Sequence, residues 1–145
     1  YGYKDEILFE SGKNINLLKN KIIYARACNA GISFGKKVVE GNDGCFIGYK
    51  YPFSFLIDGT WSTKPSNDNI ARFYLEPSNE IVKCLIKGKT TQESHEKSKQ
   101  MMIKNMKKIL KMEKNQELGA TVMLHTLWNN FDGQVLHGNS SLTFI

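Results

Sequence analysis

The chain has 145 residues, enough for one hydrophobic core and not for two. Its apolar, aromatic and charged fractions exclude wholesale disorder, and no apolar run approaches the ~20 residues of a membrane-spanning helix. The net charge of +6 comes almost wholly from lysine, since Arg26 and Arg72 are the only arginines, which argues against nucleic acid as a partner.

The opening Tyr1-Gly2-Tyr3-Lys4-Asp5 has neither an initiator Met nor the layout of a signal peptide, so the numbering is expected to begin inside a longer polypeptide. Ile7-Leu8-Phe9 is a short apolar run, and Ile15, Leu17 and Leu18 read as a short helix or turn packed on a sheet. Residues 22–27 are β-formers that stop at Cys28. A small-residue turn, Asn29-Ala30-Gly31, leads into a helix ending at Glu40, with Ile32, Phe34 (or Gly35), Val38 and Val39 on one face and Gly41 closing it. A second strand, Cys45-Phe46-Ile47-Gly48-Tyr49, completes a strand, crossover helix, parallel strand unit. Cys28 then stands at the carboxyl end of the first strand, where open α/β sheets collect ligands and catalytic groups.

Residues 50–61 are dense in aromatics, and Pro52 argues against a long central strand. They could form a pocket wall or an aromatic lid on the core. Residues 62–69 are polar and turn-forming, the segment expected to move most. A helix capped by Asp68 or Asn67 should stop near Glu76, before Pro77. Ser78 could cap a second one, with Ile81, Val82, Leu85 and Ile86 at helical spacing and Gly88 at its end. Thr90 and Glu93 have capping-box spacing at the head of a long helix reaching about Met112. Its inner stripe is Ser94, Ser98, Met101 or Met102, Asn105 or Met106, and Ile109. A further helix is expected over 120–129, then a turn at Phe131-Asp132-Gly133, then a short strand, Gln134-Val135-Leu136, ending at His137.

Three cysteines without CxxC spacing fit neither a disulfide framework nor a zinc site and point to a reducing, cytoplasmic setting. With no Walker-type loop, HExxH or acidic cluster, neither metal nor cofactor is expected. Cys28 has the strand-to-turn setting of a nucleophilic thiol, and small residues after it would let a carbonyl approach. The competing reading is a small buried hydrophobe, the usual state of a free thiol. Cys45 and Cys84 read as core. Of the histidines, His95 reads as solvated, His125 as a helix residue, and His137, beside Gly138, as the one in a setting that suits catalysis. The lysines at 97, 99, 104, 107, 108 and 111 could meet an anionic partner, or simply form the solvated face of a packed helix.

The run from Lys21 through Ala27-Cys28-Asn29-Ala30-Gly31, then Phe34-Gly35-Lys36, then Gly44 to Tyr49 with Phe53 and Phe55, resembles the bacterial and archaeal caspase-like cysteine peptidases, including the CHAT-type domains. Leu75-Glu76-Pro77-Ser78-Asn79, residues 85–90 and Leu136-His137-Gly138-Asn139 are similar to that group's C-terminal half. The resemblance implies an α/β fold with a mostly parallel sheet flanked by helices, a caspase-like three-layer sandwich lacking its first strands. It implies a cysteine endopeptidase in which Cys28 attacks a peptide carbonyl while its N–H and that of Gly2 hold the oxyanion. Tyr49, Phe53 and Asp58 would help bind substrate, with Asp58 meeting a basic side chain. In the family a His precedes the oxyanion Gly, and here Tyr1 stands in that position. A phenol with a pKa near 10 is a poor base toward a thiol. The alternative is therefore an inactive caspase-like binding or regulatory module. Expected partners are a peptide or protein substrate and an upstream regulatory domain, with no membrane.

Overall fold

The computed structural model describes residues 9, 13–114 and 119–144. Among them, strands β1 (Ile22–Tyr24), β2 (Cys45–Tyr49) and β3 (Gln134–Gly138) form a sheet in the order β1-β2-β3. Helices are α1 (Phe34–Val39), α2 (Asn69–Ile86), α3 (Thr91–Lys114) and α4 (Ala120–Gly133). β1 and β2 run parallel, with Tyr24 opposite Ile47, as expected for a strand, helix, strand unit. β3 pairs antiparallel to β2, with Phe46 opposite His137, so the sheet is mixed rather than mostly parallel. The reason is topological: α4 delivers the chain to the end of β2 where Lys50 N–H donates to the Gly133 carbonyl, and the strand must run back.

Successive β2 side chains alternate between faces. Phe46 meets α1, where Gly35 leaves room for its ring; a Cβ there would come within 2.4 Å of it. Cys45 and Ile47 face the other way and pack with Ile81 and Leu85 of α2. Tyr49 joins Tyr74, Met102, Met106, Ile109, Met123 and Leu127 in the larger core shared by α2, α3 and α4. Helices therefore cover both faces of the sheet, which explains why β2 is buried along its whole length.

The helix ends follow the sequence closely. Thr90 N–H donates to Glu93 Oε2 at 2.9 Å and Glu93 N–H donates to Thr90 Oγ1 at 3.1 Å, a reciprocal capping box. Asp68 is buried and caps α2, its Oδ1 accepting from Ile70 and Ala71 N–H. Gly41 takes φ 67° just past α1. Ser94, Ser98, Met102, Asn105, Met106 and Ile109 form the buried stripe of α3. Residues 59–61 and 65–67 form short 3-10 turns, and Arg72 reaches back to the Ser66 carbonyl.

Two expected breaks are absent. α4 runs through Phe131 and Asp132 to Gly133 without turning. α2 does not stop before Pro77 but continues through it to Ile86. A proline inside a helix removes the N–H that would bond the carbonyl four residues earlier, here that of Phe73, at a cost of about 3 kcal/mol. Asn105 of α3 supplies the missing donor, its Nδ2 lying 2.9 Å from the Phe73 carbonyl. Ser98 Oγ, two turns earlier on the same face of α3, donates to the Pro77 carbonyl itself at 2.7 Å. The proline is thus compensated by side chains of its neighbour.

This compensation predicts a coupling. Asn105→Leu should lose about 1–3 kcal/mol in urea denaturation because a buried carbonyl is left without a donor. With Pro77→Ala, residue 77 regains an N–H for that carbonyl and the same substitution should cost clearly less. Additive losses in the double-mutant cycle would refute the compensation.

Candidate active site

After Tyr24 the chain stays on β2 for one more bond, Ala25 N–H to the Ile47 carbonyl, then leaves the sheet through Arg26 and Ala27. The turn that follows is tied at several points. Asn29 adopts φ 60°, a left-handed conformation that asparagine tolerates better than most residues. The Ile32 N–H closes onto the Asn29 carbonyl and the Gly35 N–H onto that of Ala30. Gly31 N–H donates to the Tyr49 carbonyl at 2.8 Å, anchoring the turn to the end of β2. Gly31 is buried, and a Cβ there would stand 2.5 Å from Val135 Cγ2 and 3.0 Å from the Tyr49 carbonyl carbon. Only glycine fits that approach.

Cys28 is exposed at the start of this turn, whereas Cys45 and Cys84 are buried, and burial raises the pKa of both buried thiols. Beside Cys28 lies a cavity of about 410 Å³ lined by Phe9, Ala25, Ala27, Asn29, Ala30 and Phe34 as well as Cys28 itself. Its walls are small or apolar, with the rings of Phe9 and Phe34 at one side, their centroids 6.5 Å apart. The arrangement can admit an apolar or peptide group next to an accessible sulfur.

His137 lies on β3, at the opposite edge of the sheet from β1, and its Nε2 is 2.8 Å from the Gly31 carbonyl. A carbonyl only accepts, so Nε2 carries the proton, which leaves Nδ1 as the ring's acceptor. The ring also stacks on Phe46 at 6.4 Å. His137 therefore braces the turn that carries Cys28, and no described side chain is in hydrogen-bond contact with the thiol. Sequence reasoning singled out His137 as the histidine in a setting that suits catalysis and missed this bracing. The pairing of Phe46 with His137 could not be read without knowing the direction of β3.

Tyr49 was expected on a pocket wall and instead is 1% exposed in the helical core. Its hydroxyl donates to Ser78 Oγ at 3.3 Å and accepts from Gln134 Nε2 at 3.0 Å, and burial pushes its pKa well above the ordinary value. An alternating strand puts Tyr49 on the same face as Cys45 and Ile47, away from α1 and the cavity. Phe53 is half-buried, its ring edge-on to Tyr49 at 4.9 Å and beneath the Arg26 guanidinium at 5.7 Å. Asp58 caps its own turn: Oδ1 accepts from Thr60 N–H at 3.0 Å and from Thr60 Oγ1 at 2.7 Å. Those two bonds hold its carboxyl pKa below the usual range. None of Tyr49, Phe53 and Asp58 lines the cavity beside Cys28. Tyr1 and Gly2 lie outside the described residues.

His95, read as solvated, is half-buried, with its Nε2 enclosed and without a partner. Burial chiefly, and Lys99 next, lower its pKa, against an opposing pull from the Gln134 backbone. Among the described residues no group of three His, Cys, Asp or Glu side chains gathers as a metal site, and no helix is long and apolar enough to cross a membrane. Compared with models of protein families, with curated proteins and with solved structures, the chain matches none.

Two measurements follow. Gly31→Ala should cost about 1–3 kcal/mol through overpacking, and Gly31→Ala should also raise amide exchange across the 28–33 turn. An unchanged stability would mean that the turn is not anchored there. For His95, a folded-state pKa below the unfolded value near 6.5 means that the unfolded chain takes the proton first. Its contribution is present above pH 6.5 and is lost as pH falls through the folded pKa. Melting temperature should therefore drop less between pH 7.5 and 5.5 in His95→Gln than in the parent, whereas parallel curves would contradict the assignment.

Proposed function

We propose that the chain is the C-terminal part of a caspase-like cysteine peptidase domain in which Cys28 is the nucleophile. The observation that carries the reading is the exposed Cys28 thiol beside a 410 Å³ cavity, on a turn at the carboxyl end of β1, while the other two cysteines are buried. In this reaction the Cys28 thiolate attacks the carbonyl carbon of a peptide bond seated in the cavity. Charge develops on the carbonyl oxygen and is held by the Cys28 N–H and, on the family resemblance, by that of Gly2. Collapse expels the amine, which takes a proton, and leaves an acyl thioester on Cys28; water then releases the acid and regenerates the thiol. The small side chains of Ala27, Asn29 and Ala30 keep the approach open. The substrate is a peptide or protein, and regulation would come from a domain upstream. The finer description of the fold, a caspase-like sandwich completed by preceding strands, rests on the same resemblance.

A second reading is favoured by one observation. His137 Nε2 is committed to the Gly31 carbonyl, and no described base touches Cys28. The same cavity would then hold a peptide without cleaving it, and the chain would act as a caspase-like binding module.

Peptidyl acyloxymethyl ketones, which alkylate nucleophilic thiols, separate the two. The peptidase reading predicts time-dependent labelling of the chain that disappears in Cys28→Ala and persists in Cys45→Ser and Cys84→Ser. Any peptide hydrolysis should fall by about a thousandfold or more in Cys28→Ala. Labelling that survives Cys28→Ala removes Cys28 as the nucleophile, and saturable peptide binding without labelling selects the binding module.

A further inference from the structure

α3 and α4 pack side by side and leave an apolar groove of about 760 Å³ between them, lined by Ile103, Met106 and Leu110 on one wall and Leu124, Trp128 and Phe131 on the other, with Lys107 among them. Its large side chains are not hidden: Trp128 is 54%, Leu110 41% and Ile103 39% exposed. Singly exposed apolar residues need no explanation, but a contiguous row of them does. The α3 wall follows helical spacing, with 103, 106, 107 and 110 on one stripe that adjoins the buried stripe and shares Met106 with it.

The charges along the α3 rim of the groove have one sign. At 100° per residue, Lys104, Lys107, Lys111 and Lys114 run along the outer rim of α3. Lys99 closes one end, its Nζ lying 4.6 Å from the centroid of the Phe131 ring. No carboxylate interrupts α3 between Lys97 and Met112 or α4 between Ala120 and Phe131. At the two ends of the groove the acids are already engaged, Glu113 by the Thr121 hydroxyl at 2.9 Å and Asp132 by Lys50 at 3.2 Å. A floor this apolar beneath a lysine rim without acids is complementary to a ligand with an apolar stripe flanked by carboxylates. The α4 wall from Thr121 to Phe131 is about 15 Å long, or about three helical turns.

We propose that this groove docks an acidic amphipathic helix of a partner protein. Three turns of such a helix place apolar residues at i, i+3 or i+4, and i+7 against Trp128, Leu110 and Ile103, and its Asp and Glu side chains against Lys104, Lys107 and Lys111. Trp128 is the anchor, large, rigid and able to lose most of its exposed area on binding. The docking site is separate from the cavity at Cys28 and does not depend on the peptidase reading.

The test uses the full chain and a fluorescein-labelled 14-residue helical peptide with Leu at i, i+3, i+4, i+7 and i+11 and Glu along both flanks. Fluorescence anisotropy should show saturable binding below ~100 μM. It should weaken at least tenfold in Trp128→Ala and in a Lys104→Glu, Lys107→Glu, Lys111→Glu variant, each checked for an unchanged melting curve, and be unchanged in Cys28→Ala. An isomer with the same composition and a scrambled stripe should bind at least tenfold more weakly. Equal binding of the scrambled isomer, no binding at 100 μM, or insensitivity to both groove variants overturns the proposal. So does a concentration-dependent dimer abolished by Trp128→Ala, which would make the occupant a second copy. Binding to phosphatidylserine vesicles that is lost in the same variants, without peptide binding, would assign the face to a lipid surface and overturns it as well.

Discussion

One buried polar network holds the sheet against the helices. Each strand sends it a side chain: Tyr24 from β1 shares a hydrogen bond with Ser78, Tyr49 from β2 donates to the same hydroxyl, and Gln134 from β3 bonds both Tyr49 and Ser98. Ser78 belongs to α2 and Ser98 to α3, and Ser98 continues the chain of bonds to the Pro77 carbonyl. Polar groups removed from water are costly unless paired, so these bonds fix a single alignment of strands on helices that apolar packing alone would leave free to slide. Gln134 Oε1 is the one side-chain acceptor of this network left without a partner. With the alignment set, Tyr49 is fixed in the core, its carbonyl faces the Gly31 N–H, and the turn bearing Cys28 follows.

Apolar burial supplies the driving force around this network. Ile47, Ile81, Met102, Ile109 and Leu127 are fully buried, each contributing about 1.5–3 kcal/mol of transfer free energy before conformational entropy is counted. The face of the sheet toward α1 is thinner. There Phe46 fills the space between Gly35 and Gly48, and His137 lies along its ring. The end of the molecule that carries Cys28 therefore rests on few contacts, with Gly31 and His137 joining the turn to β2 and β3.

Local signals were legible in the chain and long-range ones were not. Thr90 and Glu93 announce the start of α3, and Gly41 the end of α1, because caps involve residues within one turn of each other. The inner stripe of α3 follows from its period. Pro77 misleads for a matching reason: the donor that lets α2 pass through it, Asn105, is 32 positions from the Phe73 carbonyl it bonds and lies on another helix. The 131–133 segment reads as a turn, yet Gly133 is buried against the Tyr51 ring and helix continues up to β3. The direction of β3 and the partner of His137 depend on where α4 delivers the chain, which no window of sequence contains. Tyr49 reads as an aromatic near a pocket; its strand position, an odd residue beside Phe46 and Gly48, sends it to the opposite face. The place of Cys28, exposed on a turn after β1, was legible by itself, through the end of a β-run and the small residues after it.

The central claim is that the Cys28 sulfur faces a cavity able to seat the carbonyl end of a peptide. Its most direct measurement is a crystal structure of the chain after reaction with a peptidyl ketone. The account predicts a bond from Cys28 Sγ to the inhibitor, with the peptide lying in the cavity between Ala25, Ala30 and Phe34. An adduct that points into solvent and leaves the cavity empty, or a bond to any other residue, would contradict it.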